Sequence, residues 1–308
     1  MADEKPKISP VKRRLVDAYV TMLADPADDI GYQHTLLCQT SLPYRQPPTQ
    51  IRRWERSNGR AHLQIEAGSA WDEAHQCWTE LPLPYGAKAR LVLIHLNSEA
   101  LRTGQPCVEV DGSMTHFLRR LIDRDPNARD IRRFKDQLSA LAVANIRLAG
   151  SSDCQTVQYN TQFIDRLDLW FPNNPQQRIL WPSQITLSQR YFESLQKHAV
   201  PLDHRAVSAL ANSAMALDIY TWLAQRLHRI PDNKPQFVAW SAVYDQFGQG
   251  FKRMVDFRRK FLEALRNVHA VYPDASLREE TNGHGQPEGL RLLHSPPSVA
   301  KRLMLVSR

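Results

Sequence analysis

The sequence predicts an α+β protein in which one order of elements occurs twice. Three observations carry that expectation. A helix, a short strand, two helices and two strands are read between residues 87 and 170. The same order is read again between residues 203 and 294. The chain around them is basic, with a net charge of +8 over 308 residues. At roughly 100–200 residues per domain the length makes about two domains, and a composition 42% hydrophobic and 23% charged suits ordinary globular cores.

The N-terminus opens with charge and two prolines over residues 1–10, too little apolar surface to order itself. A short helix is expected over 11–24, and residues 1–30 together are expected to be a flexible segment. Pro43, Pro47 and Pro48 mark an irregular passage. Residues 51–67 read as a hairpin. Arg52 to Arg56 and Ala61 to Ile65 flank Ser57-Asn58-Gly59-Arg60, and Asn-Gly is a strong turn signal because both positions tolerate positive φ.

The first unit begins at a helix over 87–103, with Leu91, Ile94 and Leu101 on one side and Gly104 as its stop. Cys107 to Val110 is a short strand. Ser113 is placed to cap a helix running through Arg119 and Leu121. Pro126-Asn127 starts a longer helix to about Ala144, and extended segments follow at 145–148 and 157–170. In the second unit a single long helix is expected over 203–229. Phe237 to Trp240 is a strand, Ser241 to Phe247 a short helix and Phe251 to Val271 a long one. Ala275–Thr281 and Gly289–His294 are strands around the turn-rich loop Asn282 to Pro287. The order in both units is that of a winged helix, the loop being a wing. Expected boundaries are 31–200 for a first winged-helix domain carrying the hairpin, 201–298 for a second, and 299–308 for a tail.

In a winged helix the third helix commonly enters the major groove, burying one face and presenting the other. In the first unit Ile131, Phe134, Leu138 and Leu141 form the apolar stripe, and Arg129, Arg132 and Arg133 fall opposite. In the second, Phe251, Met254, Phe261, Leu265 and Val268 form the stripe, with Lys252, Arg253, Arg259 and Lys260 outward and Arg258 nearer the stripe. Such cations neutralise phosphates, and Arg also pairs with guanine O6 and N7. A solvated basic helix face has the same pattern. Arg278, His284 and Arg291 are candidate wing contacts. Arg52, Arg53, Arg56 and Arg60 form a further basic cluster around the hairpin.

Other chemistry finds no pattern. There is no G-x-x-x-x-G-K-[ST] loop for nucleotide phosphates, no H-E-x-x-H and no G-x-S-x-G. The four cysteines, Cys38, Cys77, Cys107 and Cys154, form no C-x-x-C pair, so they are expected to be reduced thiols. No run approaches the ~20 apolar residues of a membrane span, and no apolar segment follows the charged N-terminus. A cytoplasmic, non-enzymatic protein without cofactor, metal or membrane contact is the expectation.

Several long stretches resemble a known family, the RepA-type plasmid replication initiators. They are CQTSLPYR at 38–45, RRWERSNG at 52–59, LPLPYGAKARLVLIHLNSEALRTG at 81–104 and ALANSAMALDIYTWLAQRLHRI at 209–230, followed by FGQGF at 247–251 and FLEALRNVHAVYP at 261–273. The resemblance implies binding to repeated duplex sites (iterons) at a plasmid origin, help in opening the duplex, recruitment of host replication proteins such as a helicase or initiator, and autoregulation. It also implies tandem winged helices, the C-terminal one reading most of the sequence and the N-terminal one serving dimerisation and further DNA contacts. The homodimer would be in equilibrium with monomer. On that basis 251–266 is the first choice for base readout and 127–135 the second. The stretch from Gly104 to Val200 departs most from the family pattern, which weakens the first unit's DNA role more than the second's. A winged-helix transcriptional repressor shares this physics, and a DNA-nicking relaxase or nuclease would need a metal site or an activated tyrosine.

Overall fold

The structure, a computed structural model, describes residues 9–25, 29–72, 75–109, 118–119, 122, 124–151, 156–162, 164–167 and 184–299. Expectations for residues 1–8, for the Ser113 cap, for Trp170 and for the tail from 300 onward lie outside the described residues.

The first helix, α1 (Pro10–Ala24), starts where Ser9 Oγ accepts from the Lys12 backbone N–H and proline takes the first turn, a position that needs no N–H. Leu15 is buried, so the segment is anchored well before residue 30. Strand β1 (Ile30–His34) and helix α2 (Thr35–Gln39) follow. His34 caps α2 through its ring, Nδ1 accepting from Leu36 N while Nε2 meets Ser194 Oγ at 2.9 Å.

The hairpin β2 (Arg53–Asn58) and β3 (Ala61–Glu66) forms as expected, but Asn58 pairs with Ala61, so the turn residues are Gly59 and Arg60. Gly59 has φ +56°, whereas Asn58 remains in the strand. Glycine at the first central position supplies the required left-handed φ by itself. A second hairpin that the pattern did not announce joins β4 (Ser69–Asp72) to β5 (Cys77–Glu80), with Trp71 directly opposite Trp78.

Helix α3 (Gly86–Thr103) is the spine of the first half, buried from Ala89 through Asn97, and ends at Gly104 with φ +69°. Strand β6 (Cys107–Glu109) follows, and Leu118 and Ile122 are helical and buried. Helix α4 (Ala128–Val143) is capped by Asn127, whose Oδ1 accepts from Asp130 N at 2.9 Å. The extended region expected after it is three strands, β7 (Asn145–Ser151), β8 (Thr156–Gln162) and β9 (Ile164–Leu167). Strand β10 (Gln184–Leu187), helix α5 (Gln189–His198) and strand β11 (Ala199–Asp203) complete this half.

The single helix expected over 203–229 is corrected to two. Helix α6 (His204–Ala209) stops, and α7 (Ala214–Arg226) begins after Ser213, whose Oγ accepts from Ala216 N. The alanine-rich sequence favours helix throughout, but a serine side chain that captures a backbone N–H favours a helix start over a helix interior. The chain then runs through β12 (Gln236–Ala239), α8 (Trp240–Phe247), α9 (Met254–His269), β13 (Leu277–Thr281) and β14 (Pro287–Leu292).

Sheet topology shows where the two halves correspond. The late sheet has the order β12-β14-β13, and the early one β6-β10-β9, so in both the last strand lies between the first two. The strands β7 and β8, expected to play the last two parts in the first unit, instead extend the N-terminal hairpin into the sheet β2-β3-β7-β8. Every β3 residue from Ala61 to Glu66 has a β7 partner, and Ala61, Leu63 and Ile65 are buried alongside Ile146 and Leu148 of β7. Hydrophobic alternation identified these strands, but it is silent on which partner a strand takes. Strands β1 and β11 pair antiparallel, Tyr32 opposite Pro201, and the expected boundary at 200/201 falls inside β11. One buried apolar cluster includes Leu63, Ile94, Phe134, Trp222 and Phe257. No helix among the described residues is long and apolar enough to cross a membrane.

Candidate nucleic-acid interface

Helix α9 starts after a tight turn in which Phe251 N donates to Gly248 O and Gly250 takes φ +90°. It buries Phe257, Phe261, Ala264, Leu265 and Val268. Phe257 stands edge-on to Trp240, Tyr244 and Phe251, an arrangement that suits aromatic quadrupoles. Phe257 takes the place expected for Met254, which is 38% exposed in the first turn. The helix therefore begins three residues later than its apolar pattern suggests, and Lys252 lies in the loop before it.

All four cations expected on this helix are exposed. Three are engaged by carboxylates of the same helix. Arg253 Nε lies 2.8 Å from Asp256 Oδ2, Arg259 Nη2 lies 3.9 Å from Asp256 Oδ1, and Lys260 Nζ lies 2.8 Å from Glu263 Oε2. The Lys260 contact holds the Glu263 carboxyl below its ordinary pKa. Lys252 has no partner among the described residues. Exposed pairs of this kind are worth about 0.2–1 kcal/mol, so a phosphate can replace the carboxylate at small cost. Arg258 is half-buried and reaches Glu279 Oε1 of β13 at 3.2 Å, tying the helix to the sheet.

On that sheet Arg278 stands opposite Arg291, and Arg291 opposite Phe237, which makes one cross-strand row. Phe237 is 46% exposed and Arg278 is exposed. Arg291 is engaged by Glu280, with Nη2 to Oε2 at 2.8 Å and a second contact through Nε, and that pairing lowers the pKa of the Glu280 carboxyl. Asn282 closes the loop between β13 and β14, its Oδ1 accepting from His284 N and Gln286 N at 2.9 Å each. Gly285 takes φ +73° there, and His284 is exposed near the tip.

In the first half, α4 buries Phe134, Leu138 and Leu141. Its outer face carries Arg129, Arg132 and Arg133, all exposed and without an ion-pair partner among the described residues. The start of the helix is fixed from beneath. Asp130 lies 2.6 Å from Arg124 Nη2 and 3.6 Å from Lys88 Nζ. Burial opposes its charge, but those two cations outweigh burial and its pKa is lowered. Lys88 also lies over the Phe134 ring at 4.7 Å. Of the hairpin cluster, Arg52 donates to the carbonyls of Ala67, Gly68 and Leu81, and Arg56 stacks 4.3 Å over Trp54. Both serve the fold.

Pattern reading missed a buried ion pair between the halves. Arg90 of α3, 4% exposed, meets Asp218 of α7 in a bidentate pair, Nε to Oδ1 at 2.6 Å and Nη2 to Oδ2 at 2.7 Å. The guanidinium also donates to Leu42 O at 2.7 Å and Gly86 O at 2.8 Å. Burial alone would lower its pKa, but the Asp218 carboxylate outweighs burial and raises it. The signal was a lone carboxylate inside the apolar run AMALDIYTWLA. Among the described residues no group of three or more His, Cys, Asp or Glu side chains could hold a metal ion.

Comparison with known proteins bears on this arrangement. The sequence profile of the family described as "Plasmid encoded RepA protein" matches residues 83–246, just over half of the chain. The chain belongs to that family, the RepA-type replication initiators. The match runs from α3 through α8, so it contains α4 and the Arg90–Asp218 pair, and it ends before α9. Two solved structures share the fold. One, of RctB domains 2-3, is 10% identical with a TM-score of 0.53 and covers 84% of this chain and 96% of its own. The other, of selenomethionine derivatives of domains 2 and 3 of RctB, is also 10% identical, with a TM-score of 0.51 and 84% and 95% coverage. No curated protein matches the chain.

Proposed function

We propose that this RepA-family chain binds repeated duplex sites at a plasmid origin through two winged-helix units, with α9 reading bases and α4 holding the backbone. The observation that carries the proposal is a repeated placement. In each half a basic helix leads, after intervening strands in the first, to a three-stranded sheet in which the last strand is central. A helix that buries one face and presents arginines on the other meets the need of a major-groove element. Arg259, Lys260 and Arg253 are the base-reading candidates, and Lys252, Arg278, His284 and Arg291 flank them. Arg129, Arg132 and Arg133, free of ion pairs among the described residues, fit phosphate neutralisation.

Family membership supports a wider role at the origin. The bound protein assists duplex opening, recruits host replication proteins and represses its own gene, and a homodimer dissociates to the form active at the origin. Its chemistry is binding, without catalysis. The test is a footprint of the purified protein on DNA surrounding its own gene, at near-physiological salt. Protection of several short direct repeats is expected. Protection of one inverted repeat over the promoter, with no direct repeats protected, would make the protein a repressor instead.

A further inference from the structure

A cleft of about 600 Å³ opens between α1 and the approach to α4. Arg13, Arg14 and Asp17 of α1 line it on one side, and Arg124 and Asn212 on the other. Three guanidinium groups thus face a space with one carboxylate in its wall. Among the described residues Arg14 has only neutral partners: with the Asn212 amide turned so that its oxygen faces the guanidinium, Oδ1 accepts from Nη1 at 2.8 Å and from Nη2, and Pro10 O accepts from Nε at 3.4 Å. These contacts orient the group and leave its charge uncompensated. Burial lowers the Arg14 pKa, and the nearby charge of Arg124 lowers it further. Arg124 is held in place by Asp130 at 2.6 Å and by the Asp125 carbonyl at 3.0 Å. Arg13 is exposed and has no side-chain partner among the described residues. Pro10 and Val11 also line the cleft, so the positive end of a 15-residue helix faces it.

Guanidinium groups gathered around one space, with Arg14 oriented by neutral groups and Arg13 unpaired among the described residues, match the chemistry of an oxyanion, and a guanidinium fork matches phosphate geometry. The position adds a source for that phosphate. Arg124 stands four residues before α4, whose outer face carries Arg129, Arg132 and Arg133. We propose that this cleft grips the phosphodiester backbone of the duplex beside the groove entered by α4, extending the DNA-binding surface onto α1. The proposal rests on α4 being a DNA-contacting helix.

The test uses the full chain with Arg13→Ala and Arg14→Gln, each checked for an unchanged melting transition. Arg13→Ala removes an exposed side chain without a partner among the described residues. Affinity for an origin duplex and for a scrambled duplex is measured over a salt series. Each variant is expected to weaken both duplexes alike and to reduce the slope of log affinity against log salt by about 1. Unchanged slopes in both variants would overturn the proposal. So would a melting shift on adding inorganic phosphate that both variants lose while their DNA slopes stay wild-type, since the cleft would then take free phosphate. Arg132→Ala with Arg133→Ala separates the two ideas. If that pair leaves binding intact while the cleft variants lower the slope, the cleft is a backbone contact, but its placement beside a groove entered by α4 is overturned together with the reading of α4. If only the pair lowers the slope, the cleft falls alone.

Discussion

The two basic helices present their charge differently. On α4 the three outward arginines have no ion-pair partner among the described residues, and the acid of the first turn, Asp130, is turned inward to Arg124 and Lys88. On α9 three of the four expected cations are balanced by Asp256 and Glu263 of the same helix. The α4 face, where Asp136 acts on Arg132 only at a distance beyond an ion pair, keeps more of its charge for any polyanion. A face paired with its own carboxylates gains less from phosphate, by the small worth of each pair, and its side chains are already oriented for directed hydrogen bonds. Under the proposed function, the difference divides the work between α4 for affinity and α9 for discrimination. It also gives the α9 carboxylates a use, because like-charge repulsion from DNA lowers binding to wrong sequences.

The largest expected effect breaks the frame on which both helices are carried. Arg90→Met leaves Asp218 buried without its partner, and about 3–5 kcal/mol of stability is expected to be lost, read as a lowered midpoint in denaturant. On α9, Arg259→Ala with Lys260→Ala is expected to cost about 1–3 kcal/mol in binding to the origin repeat, with a small change in salt dependence. On α4, Arg132→Ala with Arg133→Ala is expected to lower the salt slope by about 2, one unit for each phosphate no longer neutralised.

Acid sharpens the comparison from the side of the core. His34 sits beneath the first half, and burial, with the nearby charge of His198, depresses its pKa from 6.5 to about 3. The unfolded chain therefore binds a proton that the folded chain refuses, so stability is complete above pH 6.5 and falls as pH drops from 6.5 towards 3. The loss from this group at pH 5.5 is about 1.4 kcal/mol. His34→Gln should flatten that part of the stability–pH curve, and a wild-type slope in the variant would remove His34 as its cause.

Much of the local structure was legible because local chemistry decides it. Gly104, whose missing Cβ admits the left-handed conformation, ends α3, and Asn127 caps α4 through its side chain. The apolar stripes of α4 and α9 place their arginines outward, apart from the first turn of α9, where Phe257 rather than Met254 goes inside. Illegible parts depend on distant partners. Strands β7 and β8 alternate as wing strands would, yet the sheet they join is that of β3, about 80 residues earlier. Strand β11 carries Pro201, which argues against a central strand, and it is tolerated in a sheet of only two. The charged faces were legible as residues, but the carboxylates that quench α9 emerged only from side-chain positions. The residues lining the cleft come from three separate stretches of chain, which no periodicity connects.

The most direct test of the division of labour is the specificity ratio, the affinity for an origin repeat over that for a scrambled duplex of equal length. It is measured at one salt concentration for Arg259→Ala/Lys260→Ala and for Arg132→Ala/Arg133→Ala. The α9 pair is expected to lower the ratio about tenfold or more, with scrambled-duplex affinity nearly unchanged. The α4 pair is expected to weaken both duplexes together and leave the ratio near wild type. A ratio that collapses with the α4 pair and survives the α9 pair would contradict the account.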